Sequence, residues 1–256
     1  MILAIDLGNS NIVIGGIDST KTYFAERVTT NHGKTELEYA VNIKDVMELN
    51  HYPLSSIEGA IISSVVPPLT EVVISAVKKI TGKTPLVVGP GMKTGLNIKM
   101  DNPKAVGSDL VVDAVAALKE YPSPIIIIDM GTATTISVID KSGNYTGGII
   151  FPGMRVSLDS LSSRAAQLPY IGLERPGKII GKNTIDCMKN GILYGNAAMI
   201  DGIIDRMEDE IPSKPTIIAT GGLAAAVIPL CRHKIHYDEE LLLKGLWILY
   251  EKNNQE

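Results

Sequence analysis

A chain that begins Met1-Ile-Leu-Ala-Ile-Asp6-Leu-Gly8-Asn-Ser-Asn11-Ile-Val-Ile-Gly-Gly-Ile17 commits its opening to a tight β-hairpin. Two apolar runs flank a polar turn from Asp6 to Asn11, the spacing that a Gly/Asn hairpin loop produces. An ordinary turn satisfies that pattern. Backbone N–H groups around Gly8, with Asn9, Ser10 and Asn11, can also cradle phosphate oxygens. A carboxylate at the mouth, here Asp6, can hold Mg²⁺ through its waters. The same grammar returns later: Ile125–Ile128, then Asp129-Met-Gly131-Thr132-Ala-Thr-Thr135, then Ile136–Ile139. Two such units, each continuing in α/β sequence, imply an internal duplication and a fold of two similar mixed-sheet halves flanked by helices. Phosphate loops from both halves would then face one nucleotide held between them. A late strand, Thr216–Ala219, runs into Thr220-Gly221-Gly222, placed near the base or ribose.

The rest of the chain follows this plan. Thr22–Thr30 reads as a third strand, and Glu36–Leu49 as a helix capped by Thr35. A buried strand Ile57–Val66 stops at Pro67-Pro68, which opens a helix to Thr81, and Pro85–Val88 is a short strand. Gly91–Pro103 has little apolar periodicity and reads as a long functional loop. A helix from Val106 to Leu118 holds Gly107, Ser108 and Asp109 in its first turn, where an acidic residue also suits helix-start chemistry alone. In the second half a turn at Lys141–Asn144 precedes a strand ending at Gly147-Gly148. Pro152-Gly153 opens a helix to Ala166, and Pro169–Lys182 is irregular. Gly181-Lys-Asn-Thr184 caps a helix over Ile185–Met207 that is apolar nearly all round, which implies burial against the body of the protein or a partner subunit. A last helix spans Glu239–Tyr250. The division expected is 1–118 and 119–256.

With 256 residues, the chain can bury a substantial core. A formal net charge of -4 argues against nucleic-acid binding. No apolar run reaches the roughly 18 to 20 residues that a membrane span needs. The start lacks a basic segment and cleavage site, so a cytoplasmic location is expected. Cys187 and Cys231 show no metal-ligand spacing and are expected as free thiols. His233 and His236 read as a solvated pair.

Together these motifs resemble the type III pantothenate kinase family, within the acetate kinase/sugar kinase/Hsp70/actin superfamily. The resemblance runs nearly end to end. It covers Asp6–Asn11, Gly89-Pro-Gly-Met-Lys-Thr-Gly-Leu-Asn-Ile98, Asn102-Pro103, Val106-Gly-Ser-Asp109 and Asp129–Thr135. It continues through Pro152-Gly153, Ser163-Arg-Ala-Ala166, Leu168-Pro169, Gly181–Thr184, Gly191-Ile-Leu-Tyr-Gly195, Thr220–Leu223 and Lys244-Gly-Leu246. The resemblance implies two ribonuclease H-like (actin-like) halves and ATP-dependent phosphorylation of pantothenate, the first step of coenzyme A biosynthesis. It implies ATP contacts from Asp6, Leu7, Gly8, Asn9, Ser10, Asn11, Gly131, Thr132, Gly221 and Gly222. Asp6 would lie by Mg²⁺ and Asp129 would hold K⁺ or NH₄⁺. Asp109 would be the general base. Met100, Gly107, Ser108, Asp109 and Leu110 would line the pantothenate site, with Thr184 arriving from the other subunit of a homodimer.

Two positions depart from the family pattern, which has tyrosine at Met100 and arginine at Leu110. Leucine supplies none of the donors of a guanidinium fork. The alternatives are a paralogue phosphorylating another small hydroxyl compound, and a non-catalytic regulatory or accessory protein.

Overall fold

The computed structural model describes residues 1–174 and 177–254. The chain divides into two compact units. The first contains Met1–Leu96, Asp101–Lys119 and the segment from Glu240 onward; the second contains Asn97–Met100 and Glu120–Glu239.

The first unit is built on a five-stranded sheet. Its strands are β1 (Ile2–Leu7), β2 (Asn11–Ile17), β3 (Thr22–Thr29), β4 (Gly59–Ser64) and β5 (Leu86–Val87). They lie in the order β3-β2-β1-β4-β5; β1, β2 and β3 pair antiparallel, and β4 joins β1 in parallel. Side chains alternate across the sheet, as a strand requires. Leu3, Ile5 and Leu7 share one core with α1 (Glu36–Leu49) and α2 (Pro67–Thr81). Ile2 and Ala4 share the other with α3 (Ser108–Glu120) and α7 (Leu241–Asn253). Thr35 caps α1 in a reciprocal capping box with Glu38, as its sequence implies.

The second unit repeats the plan. Its strands are β6 (Asn97–Ile98), β7 (Ile125–Met130), β8 (Ala133–Ile139), β9 (Asn144–Pro152), β10 (Thr216–Thr220) and β11 (His236–Tyr237). Their order, β11-β10-β7-β8-β9-β6, reproduces the first sheet with β6 added at the edge. Even the irregularities match: β2 shifts register at Gly16/Ile17 against β3, and β8 shifts at Val138/Ile139 against β9. Ile126, Ile128 and Met130 share a core with α4 (Met154–Arg164), α5 (Thr184–Glu210) and α6 (Ala224–Val227). The two halves are duplicated ribonuclease H-like, actin-like folds.

Several elements differ from the sequence reading. The stretch 91–103 is not wholly loop, because β6 pairs in parallel with β9. Strand β9 continues past Gly148 to Pro152, held by the ladder to β8. Helix α7 closes the chain but packs on the first sheet. Leu243, Leu246, Leu249 and Tyr250 meet Ile2, Ala4 and Val112 there, and only a glycine at position 59 leaves room for the Tyr250 ring. His236, in β11, is exposed as expected, while His233 is half-buried with its Nε2 2.8 Å from Asp205 Oδ1. Helix α5 is buried along Leu193, Ala197, Ile200 and Ile204, while Ile185 and Met199 are exposed. Cys187 and Cys231 are free thiols. No helix among the described residues is long and apolar enough to cross a membrane.

Candidate functional site

The two Asp-x-Gly loops occupy equivalent places. Asp6 is the next-to-last residue of β1, opposite Val13 of β2 and Ser63 of β4; Asp129 is the next-to-last of β7, opposite Thr135 of β8 and Thr220 of β10. Each carboxylate therefore stands at the carboxyl end of a central strand, beside a hydroxyl residue on the parallel neighbour. Open α/β sheets bind ligands at this edge.

The first loop is closed by Gly8 N–H donating to Asn11 O at 3.1 Å. Thr30 holds it from β3's end: its hydroxyl donates to Gly8 O at 2.6 Å and its N–H to Ser10 O at 3.0 Å. Asn9, Ser10 and Asn11 are exposed. Leu7 differs from its loop neighbours. Its side chain is fully buried in the core and its carbonyl accepts from Val65 N–H, so it anchors the loop from behind.

Helix α3 reaches the same edge of the first sheet through a serine bridge that the motifs did not reveal. Ser108 Oγ donates to Ser64 O at 2.9 Å, and accepts from Ser64 N–H at 3.2 Å and from the Ser63 hydroxyl at 3.1 Å. Since Ser63 is also the register partner of Asp6, the bridge brings Asp109 to the strand ends that carry Asp6. The pair Ser63-Ser64, closing the apolar run Ala60-Ile61-Ile62, was the available signal. Removing it with Ser108→Ala leaves the Ser64 amide without its side-chain acceptor. The expected cost is about 1–3 kcal/mol in stability by chemical unfolding, with turnover lowered more than ATP affinity.

Asp109 is half-buried, and burial raises its carboxyl above the usual aspartate range. The N–H of Leu110, 2.8 Å from Oδ1, opposes part of that rise. A side chain at Gly107 would collide with the same oxygen, so glycine there lets the carboxylate fold over the helix start. A carboxylate with a raised pKa is a stronger base than an ordinary aspartate, which suits a proton acceptor. Leu110 is half-buried and adds no polar atom of its own side chain.

In the second unit, the loop Gly131–Ala133 closes through Gly131 N–H to Ala133 O at 3.0 Å, and Gly153 N–H donates to Thr132 O at 3.1 Å. The turn after β10 packs directly on this loop's entrance. A Cβ at Gly221, whose φ is +91°, would lie 2.6 Å from Asp129 Oδ1 and 2.7 Å from Met130 N and O. Asp129, Thr132, Gly153 and Gly221 thus form one cluster, with Gly222 exposed beside it.

The remaining residues fall elsewhere. Met100 sits with the second unit, its sulfur against Gly147. Thr184 begins α5, behind the cap made by Asn183 Oδ1 and Asp186 N–H at 2.8 Å. It lines a surface cavity of about 730 Å³ with Leu161, Leu168, Cys187 and Gly191. No cluster of three metal-ligating side chains exists among the described residues. Single carboxylates at strand ends instead fit a Mg²⁺ held mainly by water and phosphate at Asp6. Asp129, in register with Thr135 of β8 and Thr220 of β10, is a single carboxylate of the same kind.

Comparison with known proteins gives a consistent picture. The chain is 46% identical over 253 residues to a type III pantothenate kinase of Bacillus cytotoxicus, covering 99% of this chain and 97% of that protein. A crystal structure described as a Baf family transcriptional activator from Campylobacter jejuni superposes with a TM-score of 0.61 at 18% identity, over all of both chains. MreB 5 of Spiroplasma citri bound to AMPPNP superposes with a TM-score of 0.55 at 12% identity, over 99% of this chain and 96% of that one. At those identities the two structures show the fold alone. A family profile described as type III pantothenate kinase matches residues 2–206, and the chain belongs to that family.

Proposed function

We infer that this protein transfers the γ-phosphoryl group of ATP to the primary hydroxyl of pantothenate, giving 4′-phosphopantothenate at the entry to coenzyme A synthesis. The near full-length identity to a type III pantothenate kinase carries this reading. The Ser108 bridge supports it, since it sets a raised-pKa carboxylate at the edge that bears the phosphate-type loop.

Phosphoryl transfer passes through a loose transition state, so alignment and charge neutralisation do most of the work. Backbone N–H groups of Asn9, Ser10 and Asn11 receive ATP phosphates, on a loop whose shape Thr30 fixes. Thr132 and Gly131 contact the nucleotide from the second loop, and Gly221 and Gly222 border its nucleoside. Asp6 would hold Mg²⁺ and Asp129 would hold K⁺ or NH₄⁺, cations that offset charge on the phosphates when bound. Asp109 accepts the proton of the acceptor hydroxyl as the O–P bond forms. Met100, Gly107, Ser108 and Leu110 line the acceptor's side.

The enzyme works as a homodimer in which Thr184 completes the partner's acceptor site. Support comes from the exposed Ile179, Ile180, Ile185 and Met199 around and along α5. Its place is the cytoplasm, in keeping with two free thiols and an acidic balance. The test is one preparation assayed for ADP with ATP, Mg²⁺ and pantothenate, with and without K⁺, and sized by light scattering. Pantothenate-dependent, K⁺-stimulated ADP release from a particle of twice 27.4 kDa is expected. ATP hydrolysis indifferent to pantothenate counts against the acceptor. A clean monomer counts against Thr184 acting in trans.

A further inference from the structure

Beyond the last register pair of β2 and β3, Asn11 with Thr29, the chain stays on the first phosphate-type loop. Thr30 donates its hydroxyl to Gly8 O at 2.6 Å and its N–H to Ser10 O at 3.0 Å. Both bonds end on carbonyl oxygens, and that choice has a consequence for the opposite side of each peptide. In a planar trans peptide the C=O and the following N–H point in opposite directions. Holding Gly8 O and Ser10 O on Thr30 therefore aims the N–H groups of Asn9 and Asn11 away from it.

What holds Thr30 lies one residue further on. The Tyr39 hydroxyl donates to Asn31 O at 2.8 Å and accepts from Asn31 N–H at 3.1 Å, so one side-chain oxygen grips both backbone groups of that residue. The Asn31 side chain tightens the turn that follows, its Oδ1 accepting from Gly33 N–H at 2.9 Å. The Tyr39 ring is 2% exposed, in the same core as Leu7 and Ile12, the residues that flank the loop on either side. Its helix, α1, is fixed at the start by the Thr35–Glu38 capping box. All of these contacts lie within the first unit.

We propose that Tyr39 is a positioning residue for ATP binding. Its hydroxyl fixes Asn31, Asn31 fixes Thr30 beside it, and Thr30 aims the loop's N–H groups at the phosphates. The proposal rests on the phosphate role given to this loop above.

The experiment measures KM for each substrate, kcat and Tm in Tyr39→Phe, Thr30→Val, Thr30→Ser, Gly8→Ala and the double variant Tyr39→Phe/Thr30→Val, beside the native enzyme. Phenylalanine keeps the ring in the core and removes only the hydroxyl. The KM for ATP rises roughly three- to tenfold in Tyr39→Phe and in Thr30→Val, as expected for one or two lost hydrogen bonds. The KM for pantothenate and kcat stay within about twofold, because the lost contacts serve nucleotide binding. Thr30→Ser retains the hydroxyl and stays near the native values. In the double variant the rise falls short of the product of the single rises, since both changes act through position 30. An unchanged ATP KM in Tyr39→Phe, or a full product in the double variant, overturns the relay. Equal rises in both KM values with a lowered Tm overturn it as well, by showing a purely structural contact. Amide exchange at Thr30 gives a readout free of turnover: faster exchange is expected in Tyr39→Phe, and the native rate overturns the relay. Gly8→Ala tests the reading beneath it. A Cβ there meets Asn11 O at 3.0 Å and disturbs the loop directly, so an unchanged ATP KM in that variant overturns the phosphate role itself.

Discussion

Asp109→Asn is expected to lower turnover by about 10²- to 10⁴-fold while ATP binding persists, the range over which a positioned base contributes. Asparagine keeps the shape and still offers Oδ1 to the Leu110 N–H, so the start of α3 and its serine bridge remain. What disappears is a group able to take the proton. Burial raises the Asp109 carboxyl, so in the native enzyme activity climbs with pH through a value above the ordinary 3.8. Stability runs the other way. A carboxylate whose folded pKa is raised favours the folded state below its unfolded pKa and loses that contribution as pH rises through the folded value. At pH 7 the charged form is the one that burial penalises, and the amide removes the penalty. The variant should therefore melt at a higher temperature than the native enzyme at pH 7, and the gain should shrink toward pH 3.8 and below. Differential scanning calorimetry across pH, beside initial rates, checks both halves. A variant of full activity rules Asp109 out as the base.

The second large effect is expected at Gly221. Alanine there meets two obstacles at once: a φ of +91°, and backbone atoms of Met130 at 2.7 Å that cannot move aside as a side-chain tip could. Strain of about 1–3 kcal/mol and overpacking of about 1–3 kcal/mol together cost roughly 2–6 kcal/mol. Relief requires the Thr220–Gly221 turn to part from Asp129, so ATP affinity falls with stability. Gly82→Ala separates the two causes. Its φ is +70° but the space around it is open, so it pays strain alone and leaves ATP binding intact. Thermal melts with and without ATP, run on both variants, read the difference; equal melting and ATP affinity for the two would contradict the packing argument.

The parts of the fold that local chemistry dictates were legible in the sequence. Both Asp-x-Gly hairpins, the Thr35 cap and the Pro67-Pro68 helix start follow from residues within a few positions of one another. Elements set by distant partners were not. Strand β6 is two residues long and exists only because β9 lies beside it, so no periodicity announces it. The apolar face of α7 shows that it must be buried but not on which sheet; Gly59, far away in sequence, decides that. At the site, Asp6, Asp109 and Asp129 carry chemistry in their own side chains and stood out. Ser63, Ser64 and Ser108 act through each other across 44 and 45 residues, so nothing in any one of them marked the bridge. Leu7 enters the phosphate loop by the family resemblance, and its side chain points into the core as strand alternation dictates, which leaves its backbone to face the loop.

Phosphoryl transfer to one hydroxyl of pantothenate leaves a phosphomonoester as its product. Phosphorus NMR of native enzyme with ATP, Mg²⁺, K⁺ and pantothenate tests it most directly. One new phosphomonoester resonance should grow in step with ADP and bear coupling to a methylene group. ADP formed with inorganic phosphate alone, or no turnover while ATP still binds, would contradict it.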